Sequence, residues 1–277
     1  MHPCINILNY INNRKSETPN RKRSTMNSDE YQQMVEFLQS ANQSKYSYED
    51  IRARFEAEPA SVYGANMANW IPDFAYTHQL LLESSAIHLR ARAIGVELGA
   101  GSGRVSKLLL ETFADLHLTL VDLSPNMLKE AEKQLAPYAR RCEFRVADMF
   151  DAGLDFPNES LDYVISVFAI CHAQGIEIYE QLYRRIHAWL KPGGYFVCYD
   201  HVLGDTVPLT ALNALGWHRL LAAHQTAEQA KDGIVSTYQE DSPLPLRQHL
   251  SLLSALGFSA VDVLYKRDIF GMYAAVK

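Results

Sequence analysis

Nine residues constrain the fold of this chain more than any others: Val96-Glu97-Leu98-Gly99-Ala100-Gly101-Ser102-Gly103-Arg104 closes an apolar, strand-like run and opens a helical one. A glycine-rich turn between strand and helix brings backbone close to a ligand, and it requires a βαβ context. The neighbouring residues supply that context. Short runs rich in β-branched residues, at 93–98, 117–122, 142–147, 161–168 and 194–200, alternate with helical periods near 104–113, 125–138 and 176–190. This rhythm predicts a parallel sheet covered on both faces by helices, that is, a doubly wound α/β fold. After Asp200 the pattern turns helical over about 208–231, then gives a last helix at 246–256 and two strands at 261–265 and 271–276. Their short link forces an antiparallel hairpin, because parallel neighbours need a long crossover.

Upstream of the sheet, Ser28 and Ser47 are placed to cap two amphipathic helices, and Pro72 suits the first turn of a third. The segment 46–76 holds seven aromatics, among them Tyr48, Tyr63 and Trp70. Most read as core and the excess as the roof of a pocket, with Tyr63 and Trp70 as substrate-contacting candidates. The predicted division is a disordered tail (1–26), a helical cap (27–90) and a ligand-binding sheet domain (91–277) with a helical lid inserted near 208–231. The net charge of −6 hides an asymmetry, since residues 1–26 carry five basic groups and one acid. An acidic body is a poor binder of phosphate backbones. No apolar run approaches the roughly 18 residues needed to cross a bilayer, so neither nucleic acid nor membrane is an expected partner. The four cysteines form no CxxC pair and the ten histidines no HxH, HxxxH or HExxH spacing. Free thiols in a reducing, cytoplasmic setting are expected, without a metal site.

The loop departs from the dinucleotide fingerprint. Its glycines run GxGxG, and Arg104 stands where GxGxxG or GxGxxA has a small residue. Glu97, two residues before the first glycine, would repel a pyrophosphate; a ligand with an ammonium group and no phosphate suits it better. Asp122 ends the second run, placed to accept hydrogen bonds from a ribose diol.

These residues resemble the class I S-adenosylmethionine (SAM) dependent methyltransferases. The segment 97–103 is similar to that family's first motif, and Val121-Asp-Leu-Ser-Pro-Asn-Met-Leu128 to its second-strand acid and helix start. Ala147-Asp148-Met-Phe-Asp151, Leu161–Phe168 and Leu190–Phe196 resemble the third-strand acid, the fourth strand and the turn into the fifth. The resemblance implies a mostly parallel seven-stranded sheet closed by the antiparallel hairpin, with SAM as cofactor. It further implies that Gly99, Ala100, Gly101 and Gly103 admit the methionyl part and that Glu97 shapes its ammonium end. Asp122 would hold the ribose, Leu123 and Met127 would lie against adenine, and Asp148 would accept from its amine with Met149 beside the ring. Val167 and Phe168 would floor the sulfonium. Plainer readings stand beside these: Asp148 as a turn cap, Met127 and Phe168 as core.

Methyl transfer from a sulfonium is mainly a problem of orientation, with a general base needed only for nucleophiles that must lose a proton. His172 and His201, just beyond the fourth and fifth strands, are the candidates, and His172 is also a candidate contact to substrate. The exit of the fourth strand lacks the Asn/Asp-Pro-Pro-Tyr/Phe of amino-methylating DNA enzymes, and paired glutamates of protein arginine methyltransferases are missing after it. A small-molecule methyl acceptor is the leading expectation. The stretch 240–258 also resembles the carboxy-SAM synthases of tRNA wobble-uridine modification, where an arginine holds the added carboxylate; Lys231 stands at the corresponding place. A SAM-binding partner subunit without catalysis and, less favoured, a NAD-dependent oxidoreductase complete the alternatives.

Overall fold

The structure is a computed structural model and describes residues 28–43, 45–57 and 67–277. The predicted tail at 1–26 and Tyr63 lie outside the described residues. Helices α1 (Ser28–Gln43), α2 (Tyr48–Ala57), α3 (Met67–Trp70) and α4 (Phe74–His88) precede strand β1 (Ile94–Leu98). Then follow α5 (Arg104–Thr112), β2 (His117–Asp122), α6 (Pro125–Gln134), β3 (Cys142–Val146), β4 (Leu161–Val167), α7 (Ile176–Trp189) and β5 (Leu190–His201). Helices α8 (Val207–Leu221), α9 (Ala227–Glu240) and α10 (Leu246–Ala255) lead to β6 (Ala260–Arg267) and β7 (Phe270–Val276).

The seven strands form one sheet in the order β3–β2–β1–β4–β5–β7–β6. The first five are parallel, and β7 runs antiparallel to both β5 and β6. The chain winds outward from β1 to β3 and then returns to β4, so the order reverses between β1 and β4. In open α/β sheets, ligands bind at the carboxyl ends of strands at such a switch point. Ser166 pins this edge by donating to the Leu98 carbonyl at 2.9 Å.

Alternation along the strands divides the core into two layers. Tyr163, Ile165, Val197 and Leu120 face the layer that includes Leu109 of α5 and Leu215 of α8. Val96, Leu98, Val164 and Phe196 face the layer that includes Tyr183 and Ile186 of α7 and Leu253 of α10. Burial on both faces is why these strands read as unbroken apolar runs.

Three boundaries differ from expectation. The helix expected over 125–138 stops at Gln134 and continues as a 3-10 turn, Ala136–Arg141. Pro137 explains it, since its ring would clash with the carbonyl four residues back. The helices beyond β5 run to Glu240, not 231, and α9 starts from a Thr226–Gln229 capping box. Finally, α4 covers the sheet: Ser85 Oγ lies 2.7 Å from Tyr163 OH and the His88 ring stacks on Tyr195 at 4.1 Å. The sheet layer therefore begins at α4, and the boundary read at residue 90 falls after it. Helices α8 and α9 pack on α1, which places the N-terminal helices and the post-β5 helices together over the strand ends.

Candidate active site

Gly99, Gly101 and Gly103 all adopt left-handed backbone, with φ of 75°, 52° and 80°. A Cβ on Gly99 would stand 2.2 Å from the Ala169 Cβ, so this position admits no side chain. The turn consumes its own amides. Those of Gly99 and Ala100 donate to the Val121 carbonyl at 2.8 and 3.0 Å, that of Gly103 to the Ala100 carbonyl at 2.9 Å, and that of Gly101 to Asp122 Oδ2 at 2.7 Å. A loop that cradles pyrophosphate turns its N–H groups toward the ligand; these four point into the protein. Gly103 departs from its predicted role. A Cβ there would meet the Ala131 Cβ at 3.0 Å, so this glycine lets α5 approach α6 and does not line the cavity.

The cavity beside the loop gathers the other predicted cofactor residues: Glu97 from β1, Gly99, Ala100 and Gly101 from the turn, Asp122 at the end of β2 and Leu123 just after it, Met127 from α6, Asp148 and Met149 after β3, and Val167 at the end of β4 with Phe168 just after it. Asp122 accepts the Ser124 amide on Oδ1 at 2.8 Å and the Gly101 amide on Oδ2. Each carboxylate oxygen has capacity for a further donor, as a diol requires. Burial raises the pKa of Asp122 against those amides. Glu97 is only 2 % exposed and accepts a hydrogen bond from Ser106 Oγ. Burial pushes its carboxyl up to about 8, with the Asp122 charge acting in the same direction. Asp148 accepts the Phe150 amide at 2.7 Å, so the turn-cap reading and a place on the cavity wall hold together. Three acids around apolar Leu123, Met127 and Met149 fit a cationic ligand with a planar ring and no phosphate.

Tyr48 of α2 joins this wall, its ring edge-on to Phe150 with centroids 6.2 Å apart. Burial and the neighbouring Asp148 carboxylate push its phenol above the usual range. Sequence reading placed Tyr48 only within an aromatic cluster, because nothing local ties α2 to β3.

A second cavity adjoins the first and shares Met67, Phe168 and His172 with it. Trp70, Trp217, Phe270 and His201 form aromatic walls, and Arg54, Gln229 and Glu240 are polar ones. Phe168 stands at the junction with φ of 53°, its amide donating to the Tyr199 carbonyl at 2.8 Å. A non-glycine residue in this region stores strain, and such residues cluster at functional sites.

Both candidate histidines meet here on one carboxylate that sequence reading did not single out. His172 Nδ1 stands 3.0 Å from Asp241 Oδ1, and His201 Nδ1 stands 2.6 Å from Oδ2. Asp241 is 3 % exposed. Burial opposes its charge, but the two imidazoles outweigh burial and hold its pKa below the carboxylate range. For His172, burial works against the charged ring, while Asp241, Asp200 and Asp122 together carry the pKa upward. Asp200 accepts the amides of Cys171 and His201 at 2.9 and 2.8 Å, fixing the two strand exits.

Cys171, Asp200 and His201, and likewise Cys171, His172 and Asp241, bring ligand-type atoms within 4.8 Å of one another. The 2.6 and 3.0 Å contacts are hydrogen-bond lengths, shorter than the ~3.3 Å that separates ligands around a tetrahedral zinc ion. Lys231 lines neither cavity; its ammonium lies 4.0 Å from the centroid of the Phe37 ring on α1.

A glycine turn with inward amides, at the switch point of a seven-stranded sheet ending in an antiparallel pair, is the class I methyltransferase fold. Residues 96–194 match the family model of the methyltransferase domain, so this stretch of the sheet, from β1 to the start of β5, is a domain of the SAM-dependent methyltransferase class, with SAM as its cofactor. It is 25 % identical over 194 residues to release factor glutamine methyltransferase of Koribacter versatilis, covering 58 % of this chain and 68 % of that protein. It is 31 % identical over 113 residues to phosphoethanolamine N-methyltransferase 1 of Arabidopsis thaliana, covering 41 % of this chain but only 22 % of the relative's length. Among solved structures, phosphoethanolamine N-methyltransferase 2 of Haemonchus contortus in complex with SAM superposes with a TM-score of 0.60 at 18 % identity, covering 84 % of this chain and 60 % of that one.

Proposed function

We propose that this protein methylates a small molecule held in the second cavity, oriented toward the cofactor across Phe168. The observation that carries the reading is the shared wall: His172 and Phe168 border the cofactor cavity and the aromatic one at once. SAM, when bound, supplies an activated methyl group on a sulfonium. Asp122 would hold the ribose of SAM, Asp148 its adenine amine, and Glu97 its ammonium side. Trp70, Trp217 and Phe270 orient the acceptor, and alignment of this kind is worth on the order of 7–11 kcal/mol of barrier. The second cavity, about 370 Å³, falls at the lower end of the range typical of small-molecule sites, ~300–1,000 Å³. We read α8 and α9 as a lid over it, with α1 as their support. A reducing, cytoplasmic setting accords with the unpaired thiols of Cys142, Cys171 and Cys198. No helix among the described residues is long and apolar enough to cross a membrane.

The carboxy-SAM reading loses support from the position of Lys231, whose ammonium lies over Phe37. Screening acceptors with isotopically labelled SAM tests the proposal. Label should pass to one class of small molecule, with turnover lost in His172→Ala or His201→Ala. Transfer only to protein or nucleic acid would contradict it.

A further inference from the structure

Asp241 ends the lid-forming helix and reaches two histidines that leave the sheet at different strands. Its Oδ2 is hydrogen-bonded to His201 Nδ1 at 2.6 Å, and its Oδ1 stands at ion-pair distance, 3.0 Å, from His172 Nδ1. A neutral imidazole whose Nδ1–H is held by a carboxylate carries its lone pair on Nε2. Both rings border the aromatic cavity. The backbone that carries this side chain is anchored: Lys45, between α1 and α2, donates to the Asp241 main-chain carbonyl at 2.5 Å and to Ser242 Oγ at 2.9 Å, and the Tyr46 amide donates to the Gln239 carbonyl at 3.1 Å.

Resting on the methyltransferase reading, we propose that Asp241 is a positioning residue that fixes the tautomer of His172 and His201, and that the acceptor is a nucleophile bearing a proton, an O–H or N–H group. A thioether or other aprotic acceptor has no use for two imidazoles oriented in this way. In the step, the acceptor's heteroatom–hydrogen bond breaks as an Nε2–H bond forms. The electron pair left on the heteroatom makes the bond to the methyl group, whose former pair stays on sulfur. The lid contributes Asp241, so the histidines are set only where α9 closes on the strand ends.

Other titratable and charged groups surround Asp241 and the two rings. Asp200 comes from β5, Asp122 from β2, Cys171 from the turn after β4, Tyr179 from α7, Tyr238 and Glu240 from α9, Lys45 from the α1–α2 link and Arg54 from α2. Of these, Asp241 sets one carboxylate oxygen against Nδ1 of each ring, so its removal should act on both together.

The test is nitrogen-15 imidazole spectroscopy on the full chain saturated with S-adenosylhomocysteine. In the wild type, neutral His172 and His201 should both show protonated Nδ1 and lone-pair Nε2. In Asp241→Asn, the apparent pKa of His172 should fall by about 1–3 pH units, His201 should lose its fixed tautomer, and S-adenosylhomocysteine affinity should stay within about threefold. With an acceptor in hand, the rising limb of the pH–rate profile should move to lower pH, with kcat falling more than KM rises. Three results overturn the inference: the opposite tautomer in the wild type, which needs no variant; unchanged titration of His172 in Asp241→Asn; or one-to-one binding of zinc, added alone, that moves the Nδ1 resonances. If S-adenosylhomocysteine does not bind the wild type, the methyltransferase reading itself fails.

Discussion

Glu97 carries a prediction that the acid's burial makes quantitative. With its carboxyl pushed up to about 8, the cavity is neutral at that wall near pH 7, and a cationic ligand binds the ionised form. Affinity for S-adenosylhomocysteine should therefore rise by about tenfold per unit between pH 6 and 8 and level off above. Calorimetry in buffers of different ionisation enthalpy should detect the released proton, and Glu97→Gln should flatten the dependence. Without ligand the sign reverses for stability: the folded chain holds this proton more tightly than the unfolded one, so the contribution is present at low pH and is lost as pH rises through 8. Gly99→Ala makes a second case. A Cβ 2.2 Å from Ala169, at φ 75°, should abolish cofactor binding and lower stability by more than the ~1 kcal/mol of an ordinary glycine change. Residues of this kind were legible because each sits within a few positions of a turn. Asp241 was not, because it lies 40 residues from His201 and reaches it only through the packing of α9.

Among the elements, α7 shapes the wall of the cofactor cavity formed by residues 147–150 through Arg185. Its guanidinium donates to the carbonyls of Met149, Asp151 and Leu154 at 2.6, 2.7 and 3.0 Å, holding the loop after β3 in place. Arg185→Met should weaken S-adenosylhomocysteine binding by about fivefold to tenfold, with a smaller effect on the midpoint of thermal unfolding; binding unchanged would show that the loop holds itself. Thr226→Ala, which removes the capping box of α9, should cost about 1 kcal/mol, read from denaturant unfolding. Strand and helix periods in the sheet region predicted these elements closely, since two-sided burial writes itself into β-branched runs. Their ends were less legible. Pro137 stops α6, and α4 is assigned to the sheet by Ser85 and His88, neither of which disturbs the helical pattern.

At the scale of the whole molecule, the N-terminal and post-β5 helices lie together over the carboxyl ends of the strands, and the two cavities occupy the space they enclose. The sequence alone indicated both helical segments but not their contact, which rests on long-range pairs such as Lys45 with Asp241. The described residues that line the cofactor cavity all lie at Tyr48 or beyond, so a chain beginning at Met26 should bind S-adenosylhomocysteine with unchanged affinity. The inward amides of the glycine turn and its acid at Asp122 make the cofactor assignment the claim on which the rest depends. Calorimetric titration with S-adenosylhomocysteine and with NADH, on the wild type and on Asp122→Ala, tests it most directly. The expected result is one-to-one binding of S-adenosylhomocysteine, weakened at least tenfold in Asp122→Ala, and no heat from NADH. Tight NADH binding with no response to S-adenosylhomocysteine would contradict it.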